Sequence, residues 1–356
     1  MDKLSPETKE LFQLNQLAAH HSYVTPGEVV PHFFSLGSYY LTKDTKVRGF
    51  INACHCGGFK LVSERSKTNF IRCGLHGCLY DLVGCALNAP HSLEERDLVD
   101  IGGFSFVLES LRWNKKKVVD LFDDLFDPIY RTVDRCWSSA GMSDDSAEFK
   151  FAQENVTFMS CDWLDIAEVL VEKTCFLSQR NPGLGDFVDL SPAGLFQVHQ
   201  EQEYSLITHT INPVAAKFIK LSPQEKLLYA HPVKSLAWIN FKEELAKLQS
   251  EIPFVMKRAV LYPGMFIDML PYAMIVNQLV PISPKMTAVY TQFFFTVTES
   301  GYQEALLNAY AETLHENHIL AELLAAGRSA TGWKDRTPLD HTSGMGRLNA
   351  WIKRNL

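Results

Sequence analysis

A chain of 356 residues, 46% hydrophobic and 21% charged, can bury a large core, and its length suits two or three domains. Its 34 basic and 41 acidic residues give a net charge of −7, and no basic stripe interleaved with aromatics occurs, which argues against nucleic acid as a partner. Five of the eight cysteines fall within residues 54–85, a clustering that points to metal rather than a secreted disulfide framework and makes the cytoplasm the expected compartment.

In chain order, residues 5–20 read as a short helix, with Ser5 and Pro6 suited to its start. From 28 to 108 short apolar runs alternate with Gly and Asn/Asp/Pro turns, the pattern of a small β-domain. Helical spacing follows at 114–134, where Val118, Leu121, Phe122 and Leu125 form one stripe, and returns at 163–177. Strand-like segments near 187–220 and 258–298 surround helices at 222–230 and 240–252. A long helix at about 302–326 and a final one at 346–356 complete the chain. The most apolar stretch, 259–284, is broken by Pro263, Pro271 and Pro281 and carries Asp268, Asn277 and Gln278. It reads as paired buried strands and not as a membrane helix. The elements do not alternate as βαβ, so the expected class is α+β. The expected divisions are 1–27, a helix packing on the C-terminal domain; 28–135, the β-domain; and 136–356, an α+β domain.

The chemistry concentrates in "NACHCGGFKLV" and "IRCGLHGCLYDLVG". Cys54-x-Cys56, sixteen residues, then Cys73-x-x-His76 supply three thiols and an imidazole in two short glycine-flanked loops. Such donors suit an iron–sulfur cluster or zinc. His55 adjoins Cys56, but neighbouring side chains in a strand point apart, so both cannot face one metal. Cys78 and Cys85 read as packed thiols.

These two loops resemble the cluster-binding segment of the Rieske non-haem iron oxygenases: CxH, about sixteen residues, then CxxH and an aromatic-Asp-Leu-x-Gly turn. "NAP" (88–90) and "GGFSFVLES" (102–110) are similar to later parts of that domain. The resemblance implies a small all-β Rieske-type domain and an antiparallel-sheet, helix-grip catalytic-type domain. Cys56 stands where the family has its first His ligand. A Cys3His set either makes a [2Fe–2S] centre that is harder to reduce than the family's two-histidine cluster or closes a zinc site.

The resemblance continues through "CDWLDIAEVLVEKTCFLSQRNPGL", where the family has a helix carrying ligands of a mononuclear iron. In this register Cys175 and Arg180 replace the two histidines and Asn317, in "ENHILAELL", replaces the carboxylate. An arginine has no lone pair to give and repels Fe(II), and Asn is a weak neutral donor. The mononuclear iron is therefore expected to be absent. Glu172 occupies the position of the carboxylate that bridges subunits to the cluster's second His, here His76.

The resulting expectation is a diverged α-subunit homologue, a non-catalytic structural or regulatory chain in a homotrimer or in a mixed oligomer with a catalytic paralogue. The alternatives are an active oxygenase, fed by a separate reductase, that hydroxylates or N-demethylates a small substrate, and an electron-transfer or redox-sensing iron–sulfur protein.

Overall fold

The computed structural model describes residues 4–14, 16–34, 37–101, 103–110, 116, 149–171, 196–200, 204–210, 236–248, 255–270, 272–330 and 344–356. The chain divides into two compact units, Ser5–Asp123 and Asp124–Leu356, the latter together with Met1–Leu4. The N-terminal helix falls within the first of these units.

Helix α1 (Pro6–Phe12) starts as its sequence predicts: the Ser5 hydroxyl accepts from the Thr8 amide at 3.1 Å, and proline fills the first turn, where a missing N–H costs nothing. It ends at Phe12, well short of residue 20. Leu17–His20 instead forms strand β1, all four residues buried, paired with β10 (Phe104–Val107), which in turn pairs with β9 (Leu98–Ile101). Pairing with Phe104 and Phe106 overrides the helical propensity of a Leu-Ala-Ala run.

The other sheets of this unit are β5–β2–β3–β4–β8 (Ser66–Lys67, Glu28–Phe34, Gly37–Lys43, Val47–Ile51, Glu95–Arg96) and the hairpin β6–β7 (Phe70–Arg72, Leu79–Asp81). They enclose a core in which Tyr40 stacks on Phe50 at 5.4 Å, next to Ile71 and Tyr80. Cys54, Cys73 and Cys78 belong to the same core. Gly84 is required here: its φ is +81°, and a Cβ would stand 2.4 Å from the Phe50 ring.

The second unit is built on one seven-stranded antiparallel sheet, β11–β17–β16–β15–β14–β13–β12. In sequence order these strands are Lys150–Met159, Phe196–Gln200, Tyr204–Thr210, Val255–Leu261, Met265–Leu270, Ala273–Ser283 and Met286–Phe295. The apolar stretch around residue 270 is thus three paired buried strands, and no described helix is long and apolar enough to cross a membrane. Phe293, Phe294 and Phe295 are all buried, although alternation alone would turn only some of these rings inward. Phe293 and Phe295 meet Tyr310 and Tyr302 of the helix Ser300–Arg328 on one face, while Phe294 meets Phe151, its cross-strand partner on β11.

Four helices of this unit are described: α2 (Trp163–Val171), α3 (Leu236–Leu248), α4 (Ser300–Arg328) and α5 (Gly344–Asn355). Helix α4 packs on α2 and α3, and Trp238 of α3 donates to the Thr313 hydroxyl at 3.0 Å. Arg328, in the last turn of α4, pairs with Asp165 at 2.6 Å and with Glu168, fixing α2. A buried polar chain ties sheet to helices. Arg258 grips Asp268 through two bonds of 2.5 and 2.7 Å and donates to the Leu170 carbonyl of α2 at 3.1 Å. Tyr310 donates to Asp268 at 2.6 Å, Asn277 to Tyr310 at 2.8 Å, and Thr291 to Asn277 at 2.8 Å. The helices expected at 114–134 and 222–230 lie outside the described residues, apart from Lys116.

Candidate metal centre

Two loops of matching construction present the donors. In the first, the Cys54 amide donates to the Phe59 carbonyl at 2.9 Å and the Gly58 amide to the Cys54 carbonyl at 2.8 Å. In the second, Cys73 donates to the Cys78 carbonyl at 2.8 Å and Gly77 to the Cys73 carbonyl at 2.9 Å. Gly57, Gly58 and Gly77 take positive φ, as such tight loops need. At Gly57, where φ is +123°, a Cβ would meet the His76 ring at 3.4 Å. The loops therefore face one another.

Side-chain hydrogen bonds hold each loop in place. Asn52 accepts from the Leu61 and Val62 amides at 3.0 and 2.8 Å and donates to the Val62 carbonyl at 2.7 Å. Asn88 accepts from Leu79 at 2.5 Å and donates to the Gly77 carbonyl at 3.3 Å, giving the "NAP" segment a positioning role. Asp81 caps the turn after the second loop by accepting from Val83 and Cys85 at 3.0 and 2.7 Å.

The donor atoms form two groups whose members all lie within 4.8 Å of one another: Cys54, Cys73 and His76, and Cys54, Cys56 and Cys78. All four residues expected from the sequence are brought together, but Cys56 and His76 fall in different groups. Cys78, expected to be a packed thiol, joins the site with its sulfur 3.1 Å from that of Cys56. No spacing rule singles it out, because its approach depends on the closure of the second loop. Cys85 is exposed and lies in neither group. His55 turns outward beside His91, with ring centroids 6.3 Å apart, as expected for a neighbour of Cys56.

Hydrogen-bond donors surround the sulfurs. The Tyr80 hydroxyl lies 3.5 Å from the Cys54 sulfur. Burial, and then Cys54, push its phenol above the usual range, so it keeps its proton and can donate to a metal-bound thiolate. The His76 amide donates to the Cys73 sulfur at 3.4 Å. The Cys78 thiol is held above the ordinary range by its contact with Cys56 and by burial. Three or four sulfurs and an imidazole fit a thiophilic centre, either [2Fe–2S] or zinc, and differ from a two-Cys, two-His set.

The described residues of the second unit offer no comparable gathering. Asn317 is buried on α4. Cys175, Arg180 and Glu172 lie outside the described residues. His318 pairs with Glu322 at 3.0 Å, while His315 and Glu312 are exposed. Among the described residues, no group of three His, Cys, Asp or Glu ligands converges in this unit. Asn317, which the resemblance aligns with a carboxylate ligand, offers a neutral amide, a weak donor for a mononuclear iron.

No family model matches the chain, and no curated protein matches it in sequence. Solved structures do match its fold. The quaternary ammonium Rieske monooxygenase CntA in complex with an inhibitor superimposes with a TM-score of 0.72 at 16% identity, covering 98% of this chain and 90% of that one. The same enzyme with L-carnitine gives 0.64 at 16% identity, with the same coverage. The naphthalene 1,2-dioxygenase from Rhodococcus sp. gives 0.62 at 14% identity, covering 98% and 91%. At such identities it is the fold that is shared, a small β-unit followed by a seven-stranded antiparallel sheet with helices, as in the Rieske oxygenases.

Proposed function

We propose that this chain is an oxidoreductase built on the Rieske-oxygenase plan, with a sulfur-rich metal centre in its β-unit. The observation that carries the reading is the convergence of five donors from two facing glycine loops. A bound iron–sulfur centre supplies one-electron transfer; the residues around it orient the ligands, exclude water and donate hydrogen bonds to sulfur. The full-length likeness to working monooxygenases and dioxygenases supports an oxygenase that takes electrons from a separate reductase and hydroxylates or N-demethylates a small substrate. Such an oxygenase must draw its mononuclear iron ligands from residues other than Asn317.

A second reading is favoured by Asn317 itself. A buried amide where the resemblance places a charged carboxylate suits a chain without that iron, acting as a structural or regulatory subunit in a homotrimer or beside a catalytic paralogue. One experiment separates the two: iron, zinc and acid-labile sulfide per chain after anaerobic purification, with oxygen uptake over candidate amines and aromatics. A third iron with substrate-dependent uptake establishes the oxygenase. Two irons with matching sulfide, or one zinc with none, and no uptake establish the non-catalytic subunit. A chain that binds no metal refutes both.

A further inference from the structure

We propose that Cys78 is a ligand of the β-unit centre, bound to the same metal atom as Cys56, so that Cys54, Cys56, Cys73 and Cys78 hold the centre through four sulfurs while His76 stays outside the ligand set. The proposal rests on the metal-centre reading above and changes its chemistry. Two thiolates on one tetrahedral metal, each bonded at about 2.3 Å, stand about 3.8 Å apart. The Cys56 and Cys78 sulfurs are 3.1 Å apart, and both lie within 4.8 Å of the Cys54 sulfur, so a small shift admits a metal between them. No group pairs Cys56 with His76, the two residues that a family-like iron would share.

Burial separates the two candidates in the same direction. Cys54, Cys73 and Cys78 are 2%, 0% and 7% exposed and lie in one apolar cluster, with Cys56 packed against it. His76 is exposed. The paired loops explain how Cys78 gets there. It occupies the closing position of the second loop, whose carbonyl accepts from the leading cysteine. Phe59 holds that position in the first loop, but its ring is 42% exposed. Only in the second loop does the closing residue turn a donor inward. Each thiol that binds gives one proton to solvent, and a fourth thiolate in place of imidazole adds one negative charge to the centre. The grouping fits a ferredoxin-like iron pair, with Cys56 and Cys78 on one iron and Cys54 and Cys73 on the other, and a single zinc would need Cys73 to move toward Cys56 and Cys78.

The test is X-ray absorption at the bound metal's edge, together with metal and sulfide content, on the anaerobically purified full chain and its Cys78→Ser and His76→Ala variants. The expected wild-type shell contains sulfur only. His76→Ala then keeps its metal within twofold under chelator competition, and Cys78→Ser loses it at least tenfold faster or shows a lighter atom in the shell. Acid-labile sulfide tells the iron pair from zinc, and either identity supports the assignment if the shell is all sulfur. A histidine nitrogen in the wild-type shell, lost in His76→Ala while Cys78→Ser is unchanged, overturns it and leaves the metal centre standing. A wild-type chain without metal overturns the centre itself.

Discussion

Removing the carboxylate of Asp268 should destabilise the second unit more than any surface change. Asp268 is fully buried and Arg258 is 2% exposed, and two hydrogen bonds join them. In Asp268→Ala the guanidinium stays buried without its counter-charge. That costs about 3–5 kcal/mol, because the desolvation already incurred is no longer offset by the pair. The Tyr310 hydroxyl also loses its 2.6 Å acceptor, for about 1 kcal/mol more. For a unit of this size each kcal/mol moves the melting point by about 2–4 °C, so a drop on the order of 10–20 °C is expected. Calorimetry or thermal circular dichroism reads it directly. The control is the apolar double variant Arg258→Met/Asp268→Leu, which removes both charges and should recover most of the loss. A single variant melting within about 2 °C of wild type, or a double variant no better than the single, refutes the claim that this pair is held by its desolvated geometry.

In the β-unit, Gly84→Ala combines a left-handed backbone with a Cβ 2.4 Å from Phe50, and should cost about 2–5 kcal/mol. Gly27→Ala has a φ of +78° but nothing within 4 Å, so it should cost only about 1–2 kcal/mol; equal losses of melting temperature would dismiss the clash. Glu316 is pushed up to about 7 from 4.5 by burial and by Glu312. A carboxyl with a raised folded pKa binds more protons folded than unfolded, so stability falls as pH rises through that window. Glu316→Gln should therefore match wild type near pH 4 and exceed it at pH 8 by on the order of 1 kcal/mol, after discounting for solvent screening; an equal gain at both values counts against it. Cys161 is buried, and burial followed by Asp165 pushes its thiol up to about 12, whereas Cys85 is exposed. Alkylation of the folded chain at pH 7.5, mapped by mass spectrometry, should label Cys85 and spare Cys161 until denaturant is added.

Much of the fold was legible because its signals are local. Ser5-Pro6 marks a helix start, glycine-punctuated apolar runs mark short strands, and the prolines in 259–284 rule out a single long helix; each was found in place. What failed was set by partners distant in sequence. Nothing in Leu17-Ala18-Ala19-His20 reveals that Phe104 and Phe106 will pair with it. Alternation along Phe293–Phe295 could not show that all three rings are buried, because their neighbours Phe151, Tyr302 and Tyr310 come from elsewhere in the chain.

The site shows the same division, with a consequence for function. Spacing located Cys54, Cys56, Cys73 and His76, since ligands two or three apart on a loop are a local signal. It missed Cys78, whose approach to Cys56 depends on the two loops closing face to face. The difference bears on the whole molecule. A two-histidine Rieske centre is reduced at about −150 to +300 mV, an all-thiolate two-iron centre near −400 mV, because imidazole is neutral and thiolate is not. If His76 is outside the ligand set, as proposed, the centre has no imidazole through which to couple to a carboxylate such as Glu172, the contact that the resemblance implies. An electron held at that lower potential requires a stronger reductant to place it there. An all-sulfur shell would therefore favour the proposed non-catalytic subunit, and a histidine nitrogen the proposed oxygenase.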